Sequence, residues 1–185
     1  MVMISISGII DYPQLISYSM QIPLKKSYMI GNLTEIQIDK LLQKEVVGRI
    51  GCYANDMVYV VPISYVYKDN NIYAHTNEGL KIELMRQNPN VCFEVDDLKD
   101  MGNWSSVIAW GKFQEISNEI ERYAALKLLL NRPLPVISSI TTHLGRNWPF
   151  YYDDLDMIDG IVFKIELTKI TGKFETTTAS PVFNF

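Results

Sequence analysis

Ile72-Tyr73-Ala74-His75-Thr76 runs directly into Asn77-Glu78-Gly79-Leu80-Lys81, and this junction decides how the chain is read. The first five residues alternate as a strand does. A helix is predicted over 79–88, with Leu80, Leu84 and Met85 facing inward and Pro89 stopping it. Strand, polar turn and helix start together make an anion site. The free N–H groups and the positive end of the helix dipole favour phosphate there. Lys81 falls in the first helical turn, where a positive charge is mildly unfavourable, and a bound phosphate offsets that cost. A lone His is more often a structural hydrogen-bonding group, and a lone Lys near a helix start is more often solvated. Here His75, Thr76 and Lys81 cluster across one strand-to-helix junction, which makes them candidate anion ligands.

Working outward, Thr34-Glu35-Ile36-Gln37 has the form of a capping box, and Ile38, Leu41 and Leu42 follow at helical spacing. A helix over 34–45 is expected. Strands are expected over 46–54 and 57–67, joined by a tight Asn55-Asp56 turn, and over 72–76 after the turn Asp69-Asn70-Asn71. Beyond the second helix come a strand over 91–95, a polar loop over 96–103, and a long strand over 104–116 bent or bulged at Gly111. Asn118 caps a third helix with Ile120, Ala124, Leu128 and Leu129 inward, ended by Pro133 and Pro135. Strands over 158–167 and 170–175 close the pattern. The division expected is an N-terminal extension at 1–28, one domain at 29–175 and a loosely held tail at 176–185. Hairpins dominate, and strand–helix alternation is too sparse for a doubly wound parallel sheet. A mainly β fold with peripheral helices, an antiparallel barrel whose closure removes exposed edges, fits better.

Pro62 interrupts the 57–67 strand. Proline has no N–H to give to a sheet, so it belongs at an edge or bulge. An edge strand alone accounts for it. A second reading is that the edge stays open for a planar ligand, lined by Val60, Val61, Ile63 and Ser64, with backbone groups bonding its heteroatoms. Asn103-Trp104-Ser105-Ser106-Val107 opens the long strand, and core aromatics with a hydroxyl ladder are the default for it. Ser105 or Ser106 would otherwise add a polar ligand contact. His143-Leu144-Gly145-Arg146-Asn147-Trp148 reads equally as a lid or an ordered surface loop. Asp153, Asp154, Asp156 and Asp159 lack the glycine and terminal glutamate of a calcium loop and read as a solvated acidic turn.

The chain has 185 residues, 48% hydrophobic and 21% charged, as expected of one globular domain with a real core. A net charge of −4 opposes general nucleic-acid binding, which needs a basic face. Two histidines make a multi-His metal centre implausible, and no metal ligand set is expected. Cys52 and Cys92 sit in apolar strand-like runs and read as buried, reduced thiols of a cytoplasmic protein. Residues 1–20 lack the basic start and continuous apolar core of a signal peptide, and no stretch is expected to span a membrane.

From about 33 to 116 the chain resembles the pyridoxamine 5′-phosphate oxidase-related FMN-binding split barrels, most of all the branch that includes the 5-nitroimidazole resistance proteins. The likeness rests on the order and spacing of several segments. They are Val46-Val47-Gly48-Arg49-Ile50-Gly51-Cys52, Val60-Val61-Pro62-Ile63-Ser64-Tyr65-Val66-Tyr67, Ile72-Tyr73-Ala74-His75-Thr76, Gly79-Leu80-Lys81, Asn88-Pro89-Asn90-Val91-Cys92-Phe93-Glu94-Val95 and Ser106-Val107-Ile108-Ala109-Trp110-Gly111. Ile170-Thr171-Gly172-Lys173 resembles the closing strand of that branch.

The resemblance implies a six-stranded antiparallel split β-barrel acting as a homodimer, with FMN at the interface and contacts from both chains. Carried over by position, Val61, Pro62, Ile63 and Ser64 run beside the isoalloxazine. His75, Thr76 and Lys81 hold the phosphate, and Ser106 stands where the oxidases place a polar FMN contact. In the nitroimidazole branch a His at the place of His75 is associated with the active site, which makes His75 the candidate proton donor. The true oxidases end in an Arg- and His-containing motif, whereas this tail reads Thr176-Thr177-Thr178-Ala179-Ser180-Pro181, so pyridoxine phosphate oxidation is not expected. The function expected is an FMN-dependent oxidoreductase of reductase type acting on a small molecule, nitroaromatic or another electron acceptor. Two alternatives stay open: a non-catalytic FMN-binding or storage protein, and a barrel using haem or a deazaflavin, with His75 and His143 as the obvious haem ligands.

Overall fold

The computed structural model describes residues 24–132, 155 and 158–181, with side chains at 28–132, 155 and 158–177. By internal contacts the chain divides into a main unit, Tyr28–Thr177, and a smaller one of Met1–Ser27 with Thr178–Phe185. The smaller unit's described residues are the outer ends of two strands. The main unit carries everything that follows.

The elements in order are β1 (Leu24–Asn32), α1 (Glu35–Lys44), β2 (Val47–Ala54), β3 (Met57–Lys68), β4 (Asn71–Thr76), α2 (Leu80–Gln87), β5 (Asn90–Asp100), β6 (Asn103–Glu115), α3 (Glu119–Asn131) and β7 (Ile161–Pro181). The sheet order is β1-β7-β4-β3-β2-β5-β6, and β6 also pairs with β7. Six strands, β2 to β7, therefore close into a ring, the antiparallel split barrel, with β1 added beside β7. Periodicity did not reveal β1, whose partner lies far along the chain.

Local chemistry sets the hairpins. Asn55 and Asp56 take φ of 52° and 58°, and Asp69 and Asn70 take 49° and 61°. Both pairs form two-residue turns with left-handed central residues, which suit Asn and Asp and match the twist of the flanking strands. Their registers follow: Ala54 faces Met57 across the first turn and Lys68 faces Asn71 across the second. Asn71 is thus the first residue of β4, not part of the turn.

The barrel core comes from alternating inward residues. Ile50, Cys52, Ile63, Tyr65, Ile72, Ala74, Phe93, Val95, Val107, Ala109, Phe163 and Ile165 are all buried, and the Tyr65 and Phe93 rings meet edge to face at 4.8 Å. Helix α1 closes on this core through Ile38, Leu41 and Leu42. Its capping box forms: Thr34 Oγ1 accepts from Gln37 N–H and Gln37 Oε1 accepts from Thr34 N–H. The buried Tyr65 hydroxyl donates to Leu42 O at 3.0 Å and ties the helix to β3. A second apolar cluster joins α3 to the outer side of β4 and β7 through Ala125, Leu126, Leu129, Ile158 and Val162, with Tyr73 and Val66 packed on it.

Four expectations change. The 96–103 loop is largely strand, since β5 runs to Asp100 and turns only at Met101-Gly102. Pairing with β6 overrides the polar composition, Asp97 facing Ser105 and Asp96 facing Ser106. The irregularity near Gly111 has its extra residue on the opposite strand: Trp110 faces Lys169 and Gly111 faces Leu167, leaving Thr168 of β7 between them. The strands expected over 158–167 and 170–175 are consequently one strand, β7, bulged at Thr168 and continuing past Thr176. Finally, two helix faces are shifted. α2 buries Ile82 with Leu84 and Met85 while Leu80 is 41% exposed. α3 buries Ala125, Leu126 and Leu129 while Ile120 is 82% exposed. Pro133 and Pro135 lie outside the described residues.

Candidate functional site

The site grows from the point where the β3–β4 ladder ends. The two strands pair from Lys68–Asn71 to Tyr65–Ala74 and no further. Beyond that point β3 keeps β2 as its partner through residues 57–64, and His75 and Thr76 of β4 pair only with β7. A split therefore opens in the ring, with β3 on one wall and the β4–α2 junction on the other.

Tyr65 N–H donates to Val46 O on the β2 side at 3.0 Å. Hydrogen-bonding direction alternates along a strand, so Val61 and Ile63 also face β2, and Val60, Pro62 and Ser64 face the split. Pro62 thus sits where its missing N–H removes no ladder bond. The open edge presents donors at Val60 and Ser64 and acceptors at Val60 and Pro62, the Ser64 carbonyl being taken by the last bond of the β3–β4 ladder. Side chains divide differently: Ile63 is buried in the barrel, Pro62 and Val60 are exposed on its outer face, and Val61 and Ser64 are half-buried. The Ser64 hydroxyl donates to Val46 O at 3.2 Å.

On the other wall, Lys81 Nζ donates to Thr76 Oγ1 at 2.8 Å. No carboxylate accompanies Lys81 among the described residues, and burial pushes its ammonium below the usual lysine range. Helix α2 starts at Gly79 with no side-chain cap, unlike α1 and α3, which Thr34 and Asn118 cap. Gly79 O accepts from Ile82 and Glu83 N–H, so Leu80 and Lys81 N–H are left without intrahelical partners. A Cβ on Gly79 would meet nothing within 4 Å, so there is open space beside the start of the helix. A half-buried lysine, a hydroxyl and two amides without intrahelical partners make a candidate anion-binding set.

His75 is not in that set. Ala74 is buried in the barrel core and Tyr73 packs against the α3 cluster, so on β4 Thr76 shares the inward side and His75 the α3 side. Its Nε2–H donates to Asp159 O at 2.6 Å. Ser106 is also remote. It faces Lys173 on β7, while Thr76 faces Ile161, which is on the order of 40 Å of strand path at about 3.3 Å per residue. Its hydroxyl donates to Glu94 Oε1 at 3.2 Å. The 143–148 stretch and Asp153, Asp154 and Asp156 lie outside the described residues.

The outer face of the sheet is a feature that motif reading passed over. Val60 faces Gly51, Gly51 faces Cys92, and Cys92 faces Trp110, an apolar row across four strands. Val60 is 61% and Trp110 40% exposed, with Val58 and Ile108 exposed on adjacent rows. The signal for it was the outward set of the alternation that marks the core.

Residues 34–173 match the sequence profile of the pyridoxamine 5′-phosphate oxidase family. An uncharacterized protein of Rhizobium meliloti (strain 1021) is 33% identical over 90 residues, covering 46% of this chain and 60% of that protein. A FAD-binding protein from Mesorhizobium loti superposes with a TM-score of 0.60 at 25% identity, over 81% of this chain and 99% of that one. A candidate 5-nitroimidazole antibiotic resistance protein from Bacteroides thetaiotaomicron gives the same TM-score at 20% identity, over 85% and 95%. No helix among the described residues is long and apolar enough to cross a membrane. The split ring, its open β3 edge and a profile match spanning most of the chain agree, and the chain belongs to the pyridoxamine 5′-phosphate oxidase family.

Proposed function

We propose that this protein is a flavoprotein of reductase type that binds FMN across the split between β3 and β4 and passes electrons to a small acceptor, a nitroaromatic among the candidates. One observation carries the reading: the open β3 edge faces the uncapped α2 start, where Thr76 and the desolvated, carboxylate-free Lys81 await an anion. A planar ring whose rim carries both C=O and N–H groups suits the mixed donors and acceptors of Val60, Pro62 and Ser64. A phosphate on its side chain suits α2. Bound flavin supplies the electron carriage. The chain's own residues orient it: the β3 edge fixes the ring rim, Val61 and Ile63 hold that edge to β2, and Thr76 and Lys81 fix the phosphate. The FAD-binding similarity of the Mesorhizobium loti protein and the open space before Gly79 make FAD the competing flavin.

The second chain enters for a physical reason. One wall of the split is a bare sheet edge, and the adjoining outer face carries the apolar Val60–Trp110 row beside the Arg49–Glu94 ion pair, an apolar strip with a polar border as at surfaces that bind another protein. A two-fold dimer through the Val60–Trp110 row would bury that face.

The test is the visible spectrum of the purified protein before and after NADH or NADPH, then after nitroaromatic and quinone acceptors. The released flavin is identified by chromatography. Bleaching by a nicotinamide donor and recovery with an acceptor support the reading. Bound flavin without turnover favours a binding or storage role, and a protein that takes up no flavin sinks the proposal.

A further inference from the structure

Residues 158–160, where the chain returns to begin β7, are held by side chains rather than by a ladder. Arg122 of α3 donates through Nη2 to Ile158 O at 2.5 Å and through Nη1 to Gly160 O at 3.3 Å. His75 of β4 donates through Nε2 to Asp159 O at 2.6 Å. Three successive carbonyls are thus gripped from two elements. Gly160 makes the approach possible: its φ is 93°, and a Cβ there would lie 2.8 Å from Thr76 O, 2.9 Å from His75 Nε2 and 3.3 Å from Asn77 Oδ1. The returning backbone therefore lies directly on Thr76 and Asn77, the wall that leads into α2.

We infer that His75 is a positioning residue: with Arg122 it clasps the 158–160 backbone onto the β4–α2 junction and so holds Thr76 in place, without itself touching the ligand. A carbonyl has no proton to give, so Nε2 is the protonated ring nitrogen in this contact. The ring is half-buried on the side of β4 opposite Thr76, with its donor already engaged. Arg122 does two jobs at once, reaching from α3 to the return segment, so α3 and β4 are joined through 158–160. The link from the clasp to flavin affinity rests on the function proposed above; the clasp itself does not.

The experiment compares His75→Ala, His75→Gln and Arg122→Gln with the parent protein. Gln places an N–H at about the reach of Nε2 but does not titrate. Amide hydrogen exchange is read at 160–162, and FMN affinity by fluorescence titration. His75→Ala and Arg122→Gln should each raise exchange there by about tenfold, the scale of a lost hydrogen bond, and weaken FMN. His75→Gln should restore both, with turnover near the parent's. Unchanged exchange in His75→Ala overturns the clasp. So does a His75→Gln protein with normal exchange and FMN affinity but no turnover, since His75 would then be the reacting group. If the parent binds no flavin, the proposed function falls, while the exchange result still decides the clasp.

Discussion

Lys81 Nζ stands 2.8 Å from Thr76 Oγ1 and has no carboxylate with it among the described residues. An ammonium drawn out of water toward a hydroxyl alone is held at a cost, which is why its pKa is lowered. In the proposed function an incoming phosphate supplies the missing counter-charge, and the pair is the centre of the proposed site.

Lys81→Met should weaken FMN binding by about one to two orders of magnitude, the worth of a charge-assisted hydrogen bond in a part-buried place. Lys81→Arg should retain much of it. Because the ammonium is needed and its pKa is depressed, FMN affinity should fall as pH rises at values below the ordinary lysine 10.5. Fluorescence titration over a pH series checks this; an affinity that stays level in both the pH series and Lys81→Met would place the phosphate elsewhere.

The outer row predicts assembly. Trp110→Glu or Val60→Arg puts a charge in the middle of an apolar face and should convert a dimer into monomers, read by light scattering. Since neither side chain is in the barrel core, the thermal midpoint of the monomer should report only the lost association. A dimer unaffected by both changes would move the interface off this face.

Acid should loosen the protein at His75. Burial lowers its pKa below 6.5, and Arg122, Arg132 and Lys81 add repulsion, against the Asp159 carbonyl contact, which raises it. A lowered folded-state pKa means that the stabilisation is complete above the unfolded value of 6.5 and is lost as pH falls toward the folded one. Denaturant midpoints from pH 7.5 to 5 should decline in the parent and decline less in His75→Gln. Parallel slopes would show that His75 contributes nothing to the acid limb.

Tyr65→Phe removes the hydroxyl that donates to Leu42 O while keeping the ring against Phe93. The expected cost is about 1–2 kcal/mol, measured by urea unfolding. Flavin affinity should be unaffected, because the bond joins α1 to the core, away from the split.

Features set by neighbours in the chain were legible beforehand. The Asn55-Asp56 turn, the Thr34 and Asn118 caps and the alternation of β2, β3 and β4 depend on backbone preferences and hydrogen bonds within a few residues. Even the open-edge role of Pro62 follows from a missing N–H. The α3 face was not legible, because Ile120 and Ala125 lie on competing stripes of one helix. Only the cluster of Ile158, Val162 and Tyr73, brought in from other strands, selects the stripe that is buried.

The same division runs through the site. The sequence by itself determined that Thr76 and Lys81 would meet, since a strand end and the first turn of the next helix are joined by a short turn. It placed His75 in the same group, because adjacency in the chain looks like adjacency in space. Tertiary structure decided otherwise: β4 is covered on both faces, by barrel core on one and α3 on the other, so neighbouring residues belong to different environments. It alone also decided where the ring splits, because β4 runs on beside β7 through His75 and Thr76 after its ladder with β3 has ended at the Tyr65–Ala74 pair.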